Sequence, residues 1–129
     1  MSDVAAAHQE LIRLAACMAE SSAIVLTAAG QITDDEDLKM LEWISASIAA
    51  LQDLTGQGDA TLLRDRPHRH AIRNFLNAIK GGALLLTEGA PGNGLDPSGP
   101  AARAAEAMVG HSDAILACLD EVKQGVDQK

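Results

Sequence analysis

The chain has 129 residues, enough for one domain around a single modest core but not for that core plus a separate nucleotide-binding lobe. Hydrophobic residues make up 47% of it and aromatics only 2%, with one Trp, one Phe and no Tyr, so Ala, Leu, Ile, Val and Met must build an interior better suited to close-packed helices than to strands. A formal charge of −8 argues against sequence-independent nucleic-acid binding, which needs clustered Lys and Arg on phosphates.

No apolar run approaches the roughly 18 to 20 residues that cross a bilayer, and MSDVAAAHQE lacks a basic start followed by an apolar stretch. The expected location is the cytoplasm, away from membranes. Cys17 and Cys118 stand singly inside helical patterns without CxxC spacing, which fits small buried apolar residues rather than metal or redox chemistry.

In chain order, Val4, Ala7, Leu11, Leu14 and Met18 recur at spacings of three and four, and the pattern runs through Val25 and Ala28 to a stop at Gly30. AIVLT within Ala23 to Ile32 has strand-like composition, but the helical period continues through it and helix is expected. Thr33 or Asp34 is placed to cap the second helix. The acids from Asp34 to Asp37 then complement its dipole, a simpler account than a cation site. Leu41, Ile44, Ile48 and Leu51 form its apolar stripe, ahead of Gly56 and Gly58.

Asp59 is a candidate cap for the third helix, and Pro67 either kinks that helix or marks its beginning, since proline cannot donate the interior hydrogen bond. Its stripe is Ile72, Leu76, Ile79, Ala83 and Leu86. EGAPGNGLDPSGP, Glu88 to Pro100, is a loop by its Gly and Pro density. Ser98 or Gly99 can cap a fourth helix with Pro100 in its first turn, along the stripe Ala101, Ala105, Met108, Ser112, Ile115, Leu119 and Val122. Alternating spacings of three and four average 3.5 residues, the period of helices packed side by side at shallow angles. The expected architecture is all-α: an antiparallel helical bundle, with one hairpin over residues 1–56 and a second over 59–126.

HRHAIRNFLNAIKGG, His68 to Gly82, concentrates two His, two Arg and two Asn in an otherwise alanine-rich chain. At about 100° per residue the third helix's apolar stripe lies around 200° from His70, so His70 is expected in solvent. Arg73, Asn74, Asn77 and Gly81 share its side. An exposed neutral imidazole is a competent nucleophile toward phosphorus, and Arg73, one turn on, is placed to hold phosphoryl oxygens. The small residues Ala71, Ala78, Gly81 and Gly82 would let another protein approach. An ordinary solvated face with an unremarkable histidine is the competing reading of the same residues. Phe75, at about 140°, sits on the flank of the stripe, as core or as interface. His68 points about 200° from His70, and His8, His68 and His111 read as surface histidines with no metal-ligand spacing.

HAIRNFLNAIKGGALLL resembles the H-box of sensor histidine kinase dimerisation and histidine-phosphotransfer domains, whose pattern runs roughly HExRNPLxxIxGxxxLL. His70 matches the phospho-accepting histidine, Arg73 and Asn74 the RN pair, and Leu76, Ile79, Gly81, Leu84 and Leu85 the apolar and glycine positions. The resemblance covers about 17 residues directly. It implies a phosphorelay role, with the phosphoryl group passing between His70 and the aspartate of a response-regulator receiver domain. It also implies a helical hairpin that dimerises into a four-helix bundle, although four helices in one chain could equally close a monomeric bundle, with Mg²⁺ on the receiver, no cofactor in this chain, and a histidine kinase as a second possible partner. Docking is expected over Asn74, Phe75, Asn77, Ala78 and Gly81, with Met108 and Val109 of the fourth helix nearby. Two positions depart from the pattern: Ala71 stands where the family has an acid, and Phe75 where it has Pro. Without that acid, autophosphorylation and phosphatase chemistry lose a proton-transfer partner, whereas transfer between proteins needs chiefly an imidazole and a docking surface. The alternative is a non-catalytic helical adaptor with a degenerate H-box.

Overall fold

The computed structural model describes residues 4–56 and 60–127. It contains α1 (Val4–Thr27), α2 (Asp35–Gly56), α3 (Arg66–Glu88) and α4 (Pro100–Asp127), with short 3-10 helices at Ala29–Gln31 and Ala60–Arg64; among the described residues there is no strand. The AIVLT run lies inside α1, where the helical period prevails over β-propensity. Of the two cap candidates, Asp34 rather than Thr33 caps α2, its Oδ1 accepting from the backbone N–H groups of Glu36 at 2.9 Å and Asp37 at 3.1 Å. Pro67 marks the beginning of α3 rather than a kink, since the helix starts at Arg66 with Asp65 at its cap position. The Asp59 cap and the Gly58 stop lie outside the described residues.

Each helix packs on two others: α1 on α2 and α4, and α3 on α2 and α4. The stripes expected for α2 and α3 are buried throughout, as is that of α4, and in α1 Leu11, Leu14, Met18 and Val25 are buried. Their apolar side chains, Ala101 excepted, form one continuous core. A side chain such as Leu76 or Ile115, with no exposed surface, contributes about 1.5 to 3 kcal/mol by leaving water. Ser112 enters this core without an unsatisfied hydroxyl because its Oγ donates to the Met108 carbonyl at 2.8 Å. The apolar stripe of α3 and α4 is thus covered by α1 and α2 of the same chain.

The Gly- and Pro-rich connection between α3 and α4 is anchored rather than loose. Asn93, buried, donates from Nδ2 to the Leu86 carbonyl at 3.0 Å and to Asp37 Oδ2 at 2.8 Å, and its Oδ1 accepts from the Leu95 N–H at 3.0 Å. Its own carbonyl accepts from the Thr33 N–H at 2.8 Å. Leu95 then packs with Ala28, Ala101 and Ala102 in a small second cluster. The connection is therefore tied to the α1–α2 junction, and it fixes where α4 begins.

Candidate functional site

The first turns of α3 carry His70 on the side opposite Ile72, Leu76 and Ile79, and its side chain is exposed. No hydrogen bond or ion pair is formed by the His70 ring among the described residues. Ala71 beside it is half-buried and offers no acid or base.

The residues expected to share the His70 strip divide between two edges of α3. On the α4 edge, Arg73 Nη2 donates to Asp120 Oδ1 at 2.8 Å, and two turns further on Lys80 Nζ meets Asp113 Oδ1 at 2.6 Å. Both pairs are largely solvated, so each stabilises by no more than about 1 kcal/mol and exchanges readily with another anion. The α4 edge also holds a cavity of ≈ 440 Å³, lined by Arg66, Arg69, His70, Arg73, Asp120 and Lys123.

On the α2 edge, Asn77, Ala78 and Gly81 line a shallow, mainly apolar groove of ≈ 530 Å³ with Met40, Trp43 and Leu85. Trp43, the single Trp, is 49% exposed, and Leu85 is 52% exposed. Asn74 is exposed between the two edges, whereas Phe75 is half-buried and packs against the core. Trp43 was not singled out from sequence. Its position outside the α2 stripe was the available signal.

Three expectations need correction. Met108 has no exposed surface and belongs to the core, so it offers nothing to a docking partner; Val109 packs half-buried against that core. Gly82 is buried, and a Cβ there would lie 2.8 Å from Ile44 Cδ1 and 3.0 Å from Ile44 Cγ1, so its missing side chain serves the approach of α2 to α3. Gly81 has nothing within 4 Å of the same position and alone of the pair faces outward. Gly81→Ala should therefore stabilise the fold by up to about 1 kcal/mol through helix propensity. Gly82→Ala should destabilise it by about 1 to 2 kcal/mol net, because overpacking against Ile44 outweighs the same gain. Paired urea unfolding curves check the opposite signs.

The third correction concerns the remaining histidines, which are half-buried rather than surface groups. His8 Nε2 donates to the Thr55 carbonyl at 2.8 Å, joining the start of α1 to the end of α2. Burial pushes the His68 pKa below its ordinary value of 6.5; Asp65 opposes this shift, and a proton on nearby His8 would add to it. Since the folded value is depressed, the unfolded chain takes up a proton that folded His68 resists. Stability is complete above about pH 6.5 and falls as pH drops through the folded value. Unfolding measured at about pH 7.5 and about pH 5.5 should show a larger acid loss in the natural chain than in His68→Gln. An equal loss in both would place His68 in a solvated setting.

The thiols are half-buried, and desolvation raises the Cys118 pKa, which lowers its reactive thiolate fraction. Among the described residues no three His, Cys, Asp or Glu side chains gather as a cation site. No helix among them is long and apolar enough to cross a membrane. Comparison of the chain with family models, with curated proteins and with solved structures finds no match.

Proposed function

We propose that this chain is a histidine phosphotransfer protein, in which His70 accepts a phosphoryl group from the aspartate of a receiver domain and returns it to one. The observation that carries this reading is an exposed His70 imidazole, without a partner among the described residues, that lines a basic cavity on a helix whose other edge lines an apolar groove two turns further on. A neutral ring nitrogen attacks the phosphorus of an aspartyl phosphate; the N–P bond forms as the acyl O–P bond breaks, and the carboxylate leaves on the receiver. The receiver supplies the aspartate and Mg²⁺. Arg73 exchanges Asp120 for phosphoryl oxygens at little cost, because its ion pair is solvated.

Asn74, Asn77, Ala78 and Gly81 form the near side of the docking surface, and Trp43 and Leu85 extend it onto α2. The Arg73–Asp120 and Lys80–Asp113 pairs support an antiparallel α3–α4 hairpin, in which rising numbers meet falling ones. A homodimer belongs to this reading only as a docking of outer surfaces, since α1 and α2 already cover the hairpin's stripe; a mass of two chains in light scattering is its signature. Ala71 favours a second reading, an adaptor that binds receivers without accepting phosphate. Incubation with phosphorylated receiver domains distinguishes the two: acid-labile label on the chain supports transfer, whereas binding without label to any receiver supports the adaptor. In either reading Gly81→Ala weakens receiver binding without loss of stability.

A further inference from the structure

We infer that the cavity on the α4 edge of His70 binds, without covalent chemistry, a small soluble anion carrying two linked phosphate groups. Four cations line it, Arg66, Arg69, Arg73 and Lys123, against one carboxylate, Asp120, which leaves a local charge of +4 − 1 = +3 in a chain whose net charge is −8. Arg73 is the cation paired with Asp120; Arg66, Arg69 and Lys123 form no ion pair among the described residues.

Arg69 carries the inference furthest. It is only 7% exposed, and its guanidinium donates from Nη1 to the neutral Leu63 carbonyl at 2.9 Å. A buried guanidinium without a counter-charge is costly, and an anion in the cavity it lines removes that cost. Arg66 and Arg69 both lie in the first turn of α3, where the helix dipole adds positive potential, and Asp65 at the cap position makes no side-chain hydrogen bond to the helix.

The three cations without an ion pair among the described residues match the charge of a diphosphate better than that of a single carboxylate. Lys123 approaches from α4 while Arg66 and Arg69 approach from α3, so a ligand with two charged groups reaches both walls. The volume of ≈ 440 Å³ exceeds what one phosphoryl group fills. This inference does not rest on phosphoryl transfer at His70, and it is tested without any receiver or phosphodonor.

Calorimetric titration of the full chain with inorganic diphosphate at low ionic strength should give saturable binding at one site, weakening as salt rises. Binding should be about tenfold tighter than for orthophosphate. The double variant Arg66→Gln, Lys123→Gln removes two exposed cations and should bind diphosphate at least about tenfold more weakly. Its thermal unfolding should match that of the natural chain, which separates lost binding from lost folding. Lys80→Gln, which removes a cation outside the cavity, should keep affinity within about threefold. No saturable heat with diphosphate, unchanged affinity in the double variant, or an equal loss in Lys80→Gln would overturn the assignment.

Discussion

Gly94→Ala should destabilise the chain by about 3 kcal/mol or more, lowering its melting temperature by about 10 °C. Gly94 has φ +94°, in the left-handed region, where a side chain alone costs about 1 to 2 kcal/mol. A Cβ there would also lie 2.0 Å from the Gln31 carbonyl oxygen and 3.2 Å from the Thr33 nitrogen. Those are backbone atoms, and they are fixed in place because the Thr33 N–H donates to the Asn93 carbonyl. The clash is relieved only by undocking the connection, which strands buried Asn93 without its partners on Leu86 and Asp37. Thermal and urea unfolding of the variant measure the effect. A loss below about 1 kcal/mol would mean that the α3–α4 connection is not seated on the α1–α2 junction as described.

His70→Gln should abolish phosphoryl acceptance while leaving the fold unchanged. The side chain is exposed and makes no hydrogen bond or ion pair among the described residues, so its replacement falls among surface substitutions worth within about ±0.5 kcal/mol. Gln keeps a polar amide of similar reach but has no ring nitrogen lone pair to attack phosphorus. Matched unfolding curves with complete loss of label would localise the chemistry to one atom type at one position. Retained label in the variant would move acceptance to another residue. His68, His8 and His111 are half-buried, and His8 already spends its Nε2–H on Thr55, so none of them is as open as His70.

What was legible in the sequence was whatever depends on one helix at a time. The stripes of α2, α3 and α4 follow from spacing alone, as does the exposure of His70, because a helix's own period fixes which side chains share a face, and residue type narrowed the α2 cap to Thr33 or Asp34. What escaped depends on where a second helix lies. Angle counting put Arg73 and Asn77 on one strip. The neighbouring helices divide it, so that Arg73 turns to Asp120 on α4 while Asn77 and Gly81 face the groove with Trp43 on α2. The same limit explains Gly82, which reads as surface beside Gly81 but meets Ile44, and Arg69, a cation on α3 that is covered near Leu63. Asn93 sits in a loop by composition, and nothing local in GAPGNGLDPSG announces hydrogen bonds to Asp37 and Thr33 far earlier in the chain.

Phosphoryl transfer in both directions at His70 is the central claim, and a two-step exchange with receivers tests it most directly. The chain is first labelled from a phosphorylated receiver, then isolated and given an excess of unphosphorylated receiver with Mg²⁺. The account predicts label that is stable to alkali and lost in acid, maps to the peptide holding His70, and leaves for the second receiver. No label on His70 from any receiver, or label that arrives and never leaves, would contradict it.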